Sequence, residues 1–409
     1  RGDGRGALDD MELAGGRYGL GASCDPPRAG RSDVDIDLQC VVVNNSGTII
    51  DCAYYNNLKA VRSITHSGDE VFADNGKQLK EVIWINFNRL PESVELLLFV
   101  VAAYSGGLLK DVEGGVLRVF HERETNEVAL FEMERSEASV DVVAAMFRDS
   151  SGGWKLRLID LPAVQGRHFM DILPLLGDVI RGFLPHAPAK QKIAFAMEKG
   201  GVLDLPTSLS KITVGLGWDV DDGECDLDVS AVLLNGTGDF MEAVFFGRLE
   251  SEEHGIIHTG DNLTGEGDGD DEQLNLDLHK IGSQVQQVFF VVNIYTRGRT
   301  FAQVAAPYCR VVDMASSAEL CRYELRDAGR ETGLIIARVA REASDRWGFH
   351  ALGLPSRGNM YKDSLPQILS LANLHTASLM ASTTSQVTVV GPVLAVSKRA
   401  ETSKSCAIL

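Results

Sequence analysis

The chain is poor in the features that would tie it to nucleic acid, to a disulfide framework or to a bilayer. Its 409 residues hold 39 Lys and Arg against 57 Asp and Glu, a formal net charge of -18 at pH 7. Binding to phosphate backbones needs dense basic surface, so nucleic acid is excluded as the main partner, and cations or basic partners fit better. The seven cysteines, Cys24, Cys40, Cys52, Cys225, Cys309, Cys321 and Cys406, are scattered, odd in number and free of Cys-x-x-Cys spacing. That excludes a disulfide scaffold and a thiolate zinc site, and it predicts a reducing, cytoplasmic setting. The longest apolar run, Val94 to Tyr104, is too short to span a membrane, and no signal-peptide pattern precedes it. Catalytic constellations are missing as well. No Ser-His-Asp or Cys-His set stands out, and Gly215-Leu-Gly217 lacks the third glycine and βαβ context of a dinucleotide fingerprint.

What is abundant is acid in one short stretch. His258-Thr-Gly-Asp-Asn-Leu-Thr-Gly-Glu-Gly-Asp-Gly-Asp-Asp-Glu272 interleaves carboxylates with Gly260, Gly265, Gly267 and Gly269, which let the backbone turn several of them inward. Two carboxylates about 5 Å apart at an effective dielectric near 20 repel by roughly 3 kcal/mol, so such a loop calls for a cation inside it. A hard divalent ion is the natural occupant.

The remainder reads as strands. With 44% hydrophobic and 23% charged residues the chain can fill two or three cores. Asp33 to Val43 runs from alternating acid and apolar residues into a β-branched block, and Asn44-Asn45-Ser46-Gly47 is a hairpin turn leading to a partner strand at 48–55. Further strands are predicted at 82–88, 94–104, 116–121, 128–133, 140–148 and 154–161, a spacing that argues for a sandwich. Residues 168–183 predict a helix, weakened by Pro174 and Gly177, and 185–195 a linker.

The second half then repeats the first. Asp35-Ile-Asp-Leu matches Asp226-Leu-Asp-Val, and His66-Ser-Gly-Asp matches His258-Thr-Gly-Asp, at offsets of 191 and 192 residues. Tyr104 with Tyr295, Arg118 with Arg310, Trp154 with Trp347 and Asp171 with Asp363 keep the register. The expectation is an all-β dominated chain of two tandem β-sandwich domains, each with a short C-terminal helix. Its parts are a loose segment at 1–16, a divergent sandwich at 17–184, the linker at 185–195, a metal-binding sandwich with its helix at 196–376, and a flexible tail at 377–409. The copies differ after His66-Ser-Gly-Asp69, where Lys77 and Lys80 stand in place of the acidic run. Ion binding is expected in the second copy, and weakly or not at all in the first.

Val214-Gly-Leu-Gly-Trp-Asp219, Cys225-Asp-Leu-Asp-Val-Ser-Ala231, the 258–272 motif, Phe301-Ala-Gln-Val304 and Arg322-Tyr-Glu-Leu325 resemble, in order and spacing, the TerD-type tellurium-resistance and stress-protein family. The first copy is similar more distantly, through Gly19-Leu-Gly21, Asp35-Ile-Asp37, Tyr55-Asn-Asn-Leu-Lys59 and His66-Ser-Gly-Asp69, with Ala22-Ser23 where Trp218-Asp219 would be. The resemblance implies a calcium-binding β-sandwich acting in stress-response assemblies, with no established enzymatic reaction.

The residues themselves point to the same ion. Calcium takes six to eight oxygen ligands in flexible geometry, and a Gly-rich acidic loop suits it, while EF-hand spacing and zinc ligands are both missing. Alternation puts Asp226 and Asp228 on one strand face, within reach of the acidic run. The expected ligand set is Asp219, Asp226, Asp228, Asp261, Asn262, Gly265, Asp268, Asp270, Asp271 and Glu272. Plainer roles are expected elsewhere: turn hydrogen bonds for His66 and His258, core packing for Trp154 and Trp347, surface decoration for Lys190, Lys192 and Lys199. The chain ends Cys406-Ala-Ile-Leu409, a prenylation-box pattern that, with Lys398, Arg399 and Lys404, predicts conditional peripheral membrane tethering. Function is thus expected to be a calcium-binding, non-enzymatic stress-response scaffold with a protein partner of unidentified kind. The alternative is a metal-dependent hydrolase acting on a phosphorylated or nucleotide-like substrate, with His258 as its base.

Overall fold

Alternating and β-branched sequence becomes sheet throughout the computed structural model, which describes residues 10–25, 34–68, 71–72, 78–79, 81–103, 106–220, 225–260, 269–325, 329–342 and 346–385. The first copy is a sandwich. One sheet runs in the order Met11–Leu13, Trp154–Ala163, Val140–Arg148, Val94–Ala103, Ile36–Asn44, Ile49–Ala53. The other runs Arg123–Glu132, Val116–His121, Arg17–Ser23, Glu81–Asn86, Ile64–His66, Lys59–Ala60. Leu20, Leu38, Cys40, Ile83, Phe99 and Val101 fill the space between them. The hairpin expected at Asn44 forms as read: Gly47 sits at φ +77°, and the Asn44 side-chain oxygen accepts from the Ser46 and Thr48 amides, both at 3.0 Å.

The second copy repeats this order strand for strand and adds Phe195–Met197 in parallel beside Ala318–Glu324. A helix closes each copy over the outer face of one sheet. In the first, helix α1 (Leu173–Phe183) buries Leu176 and Ile180; in the second, helix α2 (Tyr361–Ser385) lays Tyr361, Ile368 and Ala372 on Phe289, Val291 and Ile335. Pro174 falls in the first turn of α1, where a missing amide costs nothing, so it starts the helix instead of weakening it. Among the described residues no helix is long and apolar enough to cross a membrane.

Three boundaries move. The segment expected to be loose at 1–16 contains a paired strand, Met11–Leu13, because Leu13 reaches the first core. The second helix continues past 376 to Ser385, and residues 386–409 lie outside the described residues. The linker is bonded into the structure. Ile193 bridges Ile49 in parallel: the Ile49 amide donates to the Lys192 carbonyl at 3.0 Å, and the Ala194 amide donates to the Ile49 carbonyl at 2.9 Å. Ala187, Ile193 and Phe195 are buried, and one apolar cluster runs from Val41, Leu98 and Phe169 through Phe195 into Val214, Val229 and Leu274.

Polar groups complete the junction. The Tyr55 hydroxyl donates to Asp204 Oδ2 at 2.5 Å, Asn56 Nδ2 donates to Asp204 Oδ1 at 2.9 Å, and Arg346 holds Asp171 through both oxygens at 2.7 and 3.1 Å. Both ends of the last pair are buried, with side chains 3% and 7% exposed, so its geometry is fixed rather than solvated.

Candidate metal centre in the second repeat

Lys211–Val220 lies between Glu272–Asp277 and Val304–Asp313, with Leu216 opposite both Glu272 and Cys309, and Gly215 opposite both Gln273 and Arg310. This register sorts the end of the acidic run by strand alternation. Glu272, Leu274 and Leu276 point inward, so Glu272 belongs to the core at 1% exposure. It accepts the Val229 amide at 2.7 Å and stands 3.6 Å from His258 Nε2. The first copy builds the same pair, with Glu81 accepting the Leu38 amide and lying 3.3 Å from His66 Nε2. Each histidine accepts a turn amide at Nδ1, from Gly260 at 3.2 Å and from Gly68 at 3.0 Å, as expected for turn histidines.

Asp270 faces outward and is clamped. Arg310 donates to it through Nε at 2.7 Å and Nη2 at 3.1 Å, while the Tyr308 hydroxyl donates to Oδ1 at 3.0 Å. The Asp270 hydrogen bond raises the Arg310 guanidinium above its ordinary range, and burial with the Asp270 charge pushes the Tyr308 hydroxyl up to about 12. Two glycines make room. A Cβ on Gly215 would stand 2.0 Å from Asp270 Oδ2, and one on Gly217 would stand 2.4 Å from the Tyr308 ring. The Gly-Leu-Gly element is therefore a bed for the clamp. Tyr308, Arg310 and these glycines were not among the expected site residues, although glycines inside a strand and the alternating Tyr308-x-Arg310 were legible signals of close approach on one face.

Asp271 turns the other way. Its Oδ2 accepts the Trp218 amide at 2.8 Å; burial raises its carboxyl, and the neighbouring charges of Asp219 and Asp270 add to that rise. The Trp218 indole donates to the Cys225 carbonyl at 3.3 Å, tying together the two ends of the 219–226 loop. Asp226 is held at its backbone, donating its amide to Thr296 Oγ1 at 2.9 Å and accepting from the Tyr295 amide at 2.9 Å. Asp228 is 5% exposed, opposite Asn293. A cavity of about 720 Å³, lined in part by Phe301, Val304, Tyr308, Arg322 and Leu325, opens beside Asp219.

The structure thus brings Asp219, Asp270 and Asp271 into electrostatic contact, places Asp226 and Asp228 at the entry of the neighbouring strand, and commits Glu272 to the core. Asp261, Asn262, Gly265, Asp268 and Cys406 lie outside the described residues. Among the described residues no three acidic, imidazole or thiol side chains stand close enough to hold an ion by themselves. The donor chemistry is nonetheless all oxygen, since His258 spends Nδ1 on Gly260 and faces Glu272 with Nε2, and this fits a hard cation better than a zinc-type ion.

Strand pairing also corrects the sequence alignment of the two copies. Gly21 lies opposite Val82 and Arg118, as Gly215 lies opposite Gln273 and Arg310. The counterpart of Gly215 is therefore Gly21, not Gly19, and Cys24-Asp25 stand where Trp218-Asp219 do. The first copy lacks the tryptophan but keeps the aspartate. Trp154 and Trp347 are core residues at 7% and 8% exposure, and Lys190, Lys192 and Lys199 are exposed, as expected.

A family model for the TerD domain matches residues 9–166 and again 193–364. Over 176 residues the chain is 38% identical to the tellurium resistance protein TerZ of Serratia marcescens, a match covering 40% of this chain and 90% of that one. It is 41% identical over 185 residues to the stress response protein SCP2 of Bacillus subtilis (strain 168), covering 39% and 92%. Among solved structures, a homologue of the telluride resistance protein TerD from Streptomyces coelicolor A3(2) is 22% identical, covers 38% of this chain and 95% of its own, and gives a TM-score of 0.34. Both copies of the sandwich fall within the matched regions, and the chain belongs to the TerD domain family.

Proposed function

We propose that the second copy binds calcium at the loop end formed by Asp219, Asp226, Asp228 and Asp271 with Asp261, Asn262, Gly265 and Asp268, and that the chain works as a non-enzymatic stress-response scaffold. Asp270, locked by Arg310, and Glu272, locked by the Val229 amide, brace the two sides of that end and contribute to the same acidic field. The observation that carries this reading is the crowding at Asp271. A carboxylate whose protonation is already favoured by burial, Asp219 and Asp270 gains most from a neutralising divalent ion. Calcium would supply charge neutralisation and order to the loop, presenting a surface to a protein partner. The names of the relatives, tellurium resistance and stress response, support the cellular setting. A hydrolase would need an accessible base, and His258 is 3% exposed and paired internally.

Isothermal titration of the full chain with calcium tests the proposal. Saturable heat is expected at micromolar to millimolar calcium, and it should fall by an order of magnitude or more in affinity in the Asp219→Asn, Asp271→Asn double variant. A chain that gives no heat, or a double variant that titrates like the parent, overturns it.

A further inference from the structure

The second copy carries one strand that the first does not show. Phe195–Met197 adds in parallel to the edge strand Ala318–Glu324, with Phe195 opposite Cys321, Ala196 opposite Arg322 and Met197 opposite Tyr323. Phe195 is 4% exposed and joins the continuous core. In the first copy the matching strand, Arg123–Glu132, ends its sheet among the described residues. Cross-strand partners fix the correspondence: Leu117 faces Phe131 as Cys309 faces Tyr323, so Ala129, Leu130 and Phe131 stand where Cys321, Arg322 and Tyr323 do. The pairing of 129–132 with 116–119 is regular, the irregularity beginning only beyond Val119. Val128 and Leu130 are 40% and 44% exposed on this strand.

The chain's own lead-in offers no matching insert. At offsets of 191 or 192 residues Phe195 corresponds to Gly4 or Asp3, and Met197 to Gly6 or Arg5, none of which carries a bulky apolar side chain. We infer that the Arg123–Glu132 edge is a docking site for an extended peptide strand of a partner protein, added in parallel, with one bulky apolar residue between small ones and basic flanks. Backbone pairing along the edge would supply affinity, and the bulky side chain would supply specificity by filling the position that Phe195 fills in the second copy. Charge favours the basic flanks. Glu132 and Glu134 are exposed along this edge, with Glu127 bonded to Arg118 on the neighbouring strand, whereas the resident strand of the second copy is flanked by the exposed Lys190, Lys192 and Lys199.

The test uses the full chain and a fluorescein-labelled peptide with the sequence of residues 190–199, followed by anisotropy. Saturable binding is expected, weakened roughly tenfold or more in a Val128→Lys, Leu130→Lys double variant, because charge on an exposed edge blocks strand addition without touching the core. A peptide carrying Asp in place of its Phe should bind as poorly. Failure of the original peptide to bind, or equal binding to the double variant, which would put it on the second copy's edge, overturns the inference. An unchanged melting temperature of the double variant separates a blocked edge from a damaged sandwich.

Discussion

The same patch of sheet has been finished in two opposite ways. Over Gly215 and Gly217 the second copy lays Asp270, Tyr308 and Arg310, with Arg310 reaching on to Glu319 at 3.1 Å. Over Gly21, the counterpart of Gly215, the first copy lays Phe120 and Val82, which cluster with Leu79 and with the Trp84 that covers Gly19, and its Arg118 bonds Ser23 and Glu127 instead. In sequence, Leu79-Lys80 precede Glu81 as Asp270-Asp271 precede Glu272, the glutamate shared by both copies. Strand register and the buried His-Glu pair are thus the invariant frame, and the outer surface is an ionic clamp where Asp270 stands two positions before the glutamate and an apolar plug where Leu79 does. The chemistry of this fold can change with the frame left intact.

That comparison can be broken most severely at its shared part. Glu272→Ala and Glu81→Ala each leave a buried backbone amide without its acceptor and remove the carboxylate beside a buried histidine, so each should cost about 2–3 kcal/mol, and by similar amounts, in chemical denaturation. Clearly unequal losses would mean that the frame is not the same in both copies. Next comes the glycine bed. Gly215→Ala drives a methyl group into the Asp270 carboxylate and should cost about 1–3 kcal/mol, while Gly21→Ala meets Phe120 only at 3.1 Å and should cost less than about 1 kcal/mol. Reversal of that order would show that the clamp does not depend on its bed.

The remaining effect is one of pH. Asp141 is 2% exposed, and burial together with the Asp160 charge raises its carboxyl to about 7. Its counterpart is Leu334, since Asp141 faces Val101 and Pro162 as Leu334 faces Val292 and Pro355. A carboxyl raised in the folded state favours folding fully below its unfolded value of 3.8 and loses that contribution as pH climbs through about 7. Asp141→Leu should therefore flatten the pH dependence and gain up to about 4 kcal/mol at pH 8 relative to pH 4, read from melts at both values. A parallel shift at both pH values would remove Asp141 as the source of the asymmetry.

Much of the architecture was legible because it is periodic. Alternation announced the strands, Asn44-Asn45-Ser46-Gly47 the hairpin, and the recurring His-x-Gly-Asp the duplication. The acidic run was legible as charge but not as roles, because composition does not say which carboxylates turn inward. Alternation does: Glu272 shares its phase with Leu274 and Leu276, which marks it as a core residue. The offset of Gly21 against Gly215 was hidden because Gly-Leu-Gly occurs in both copies in different cross-strand positions, and only the pairing distinguishes them. The junction was hidden for another reason. Pro185 and Pro188 read as a break, yet Ile193 and Phe195 are drawn into an apolar cluster to which both copies contribute.

That shared core bears on how the two copies can diverge. Once Phe169, Phe195 and Leu203 are packed in one apolar cluster, neither copy can be deleted without exposing apolar surface at the junction, so the duplication is ratcheted in place. With both copies held together, the first can lose the acidic run that the second keeps, and specialisation becomes the low-cost direction of change.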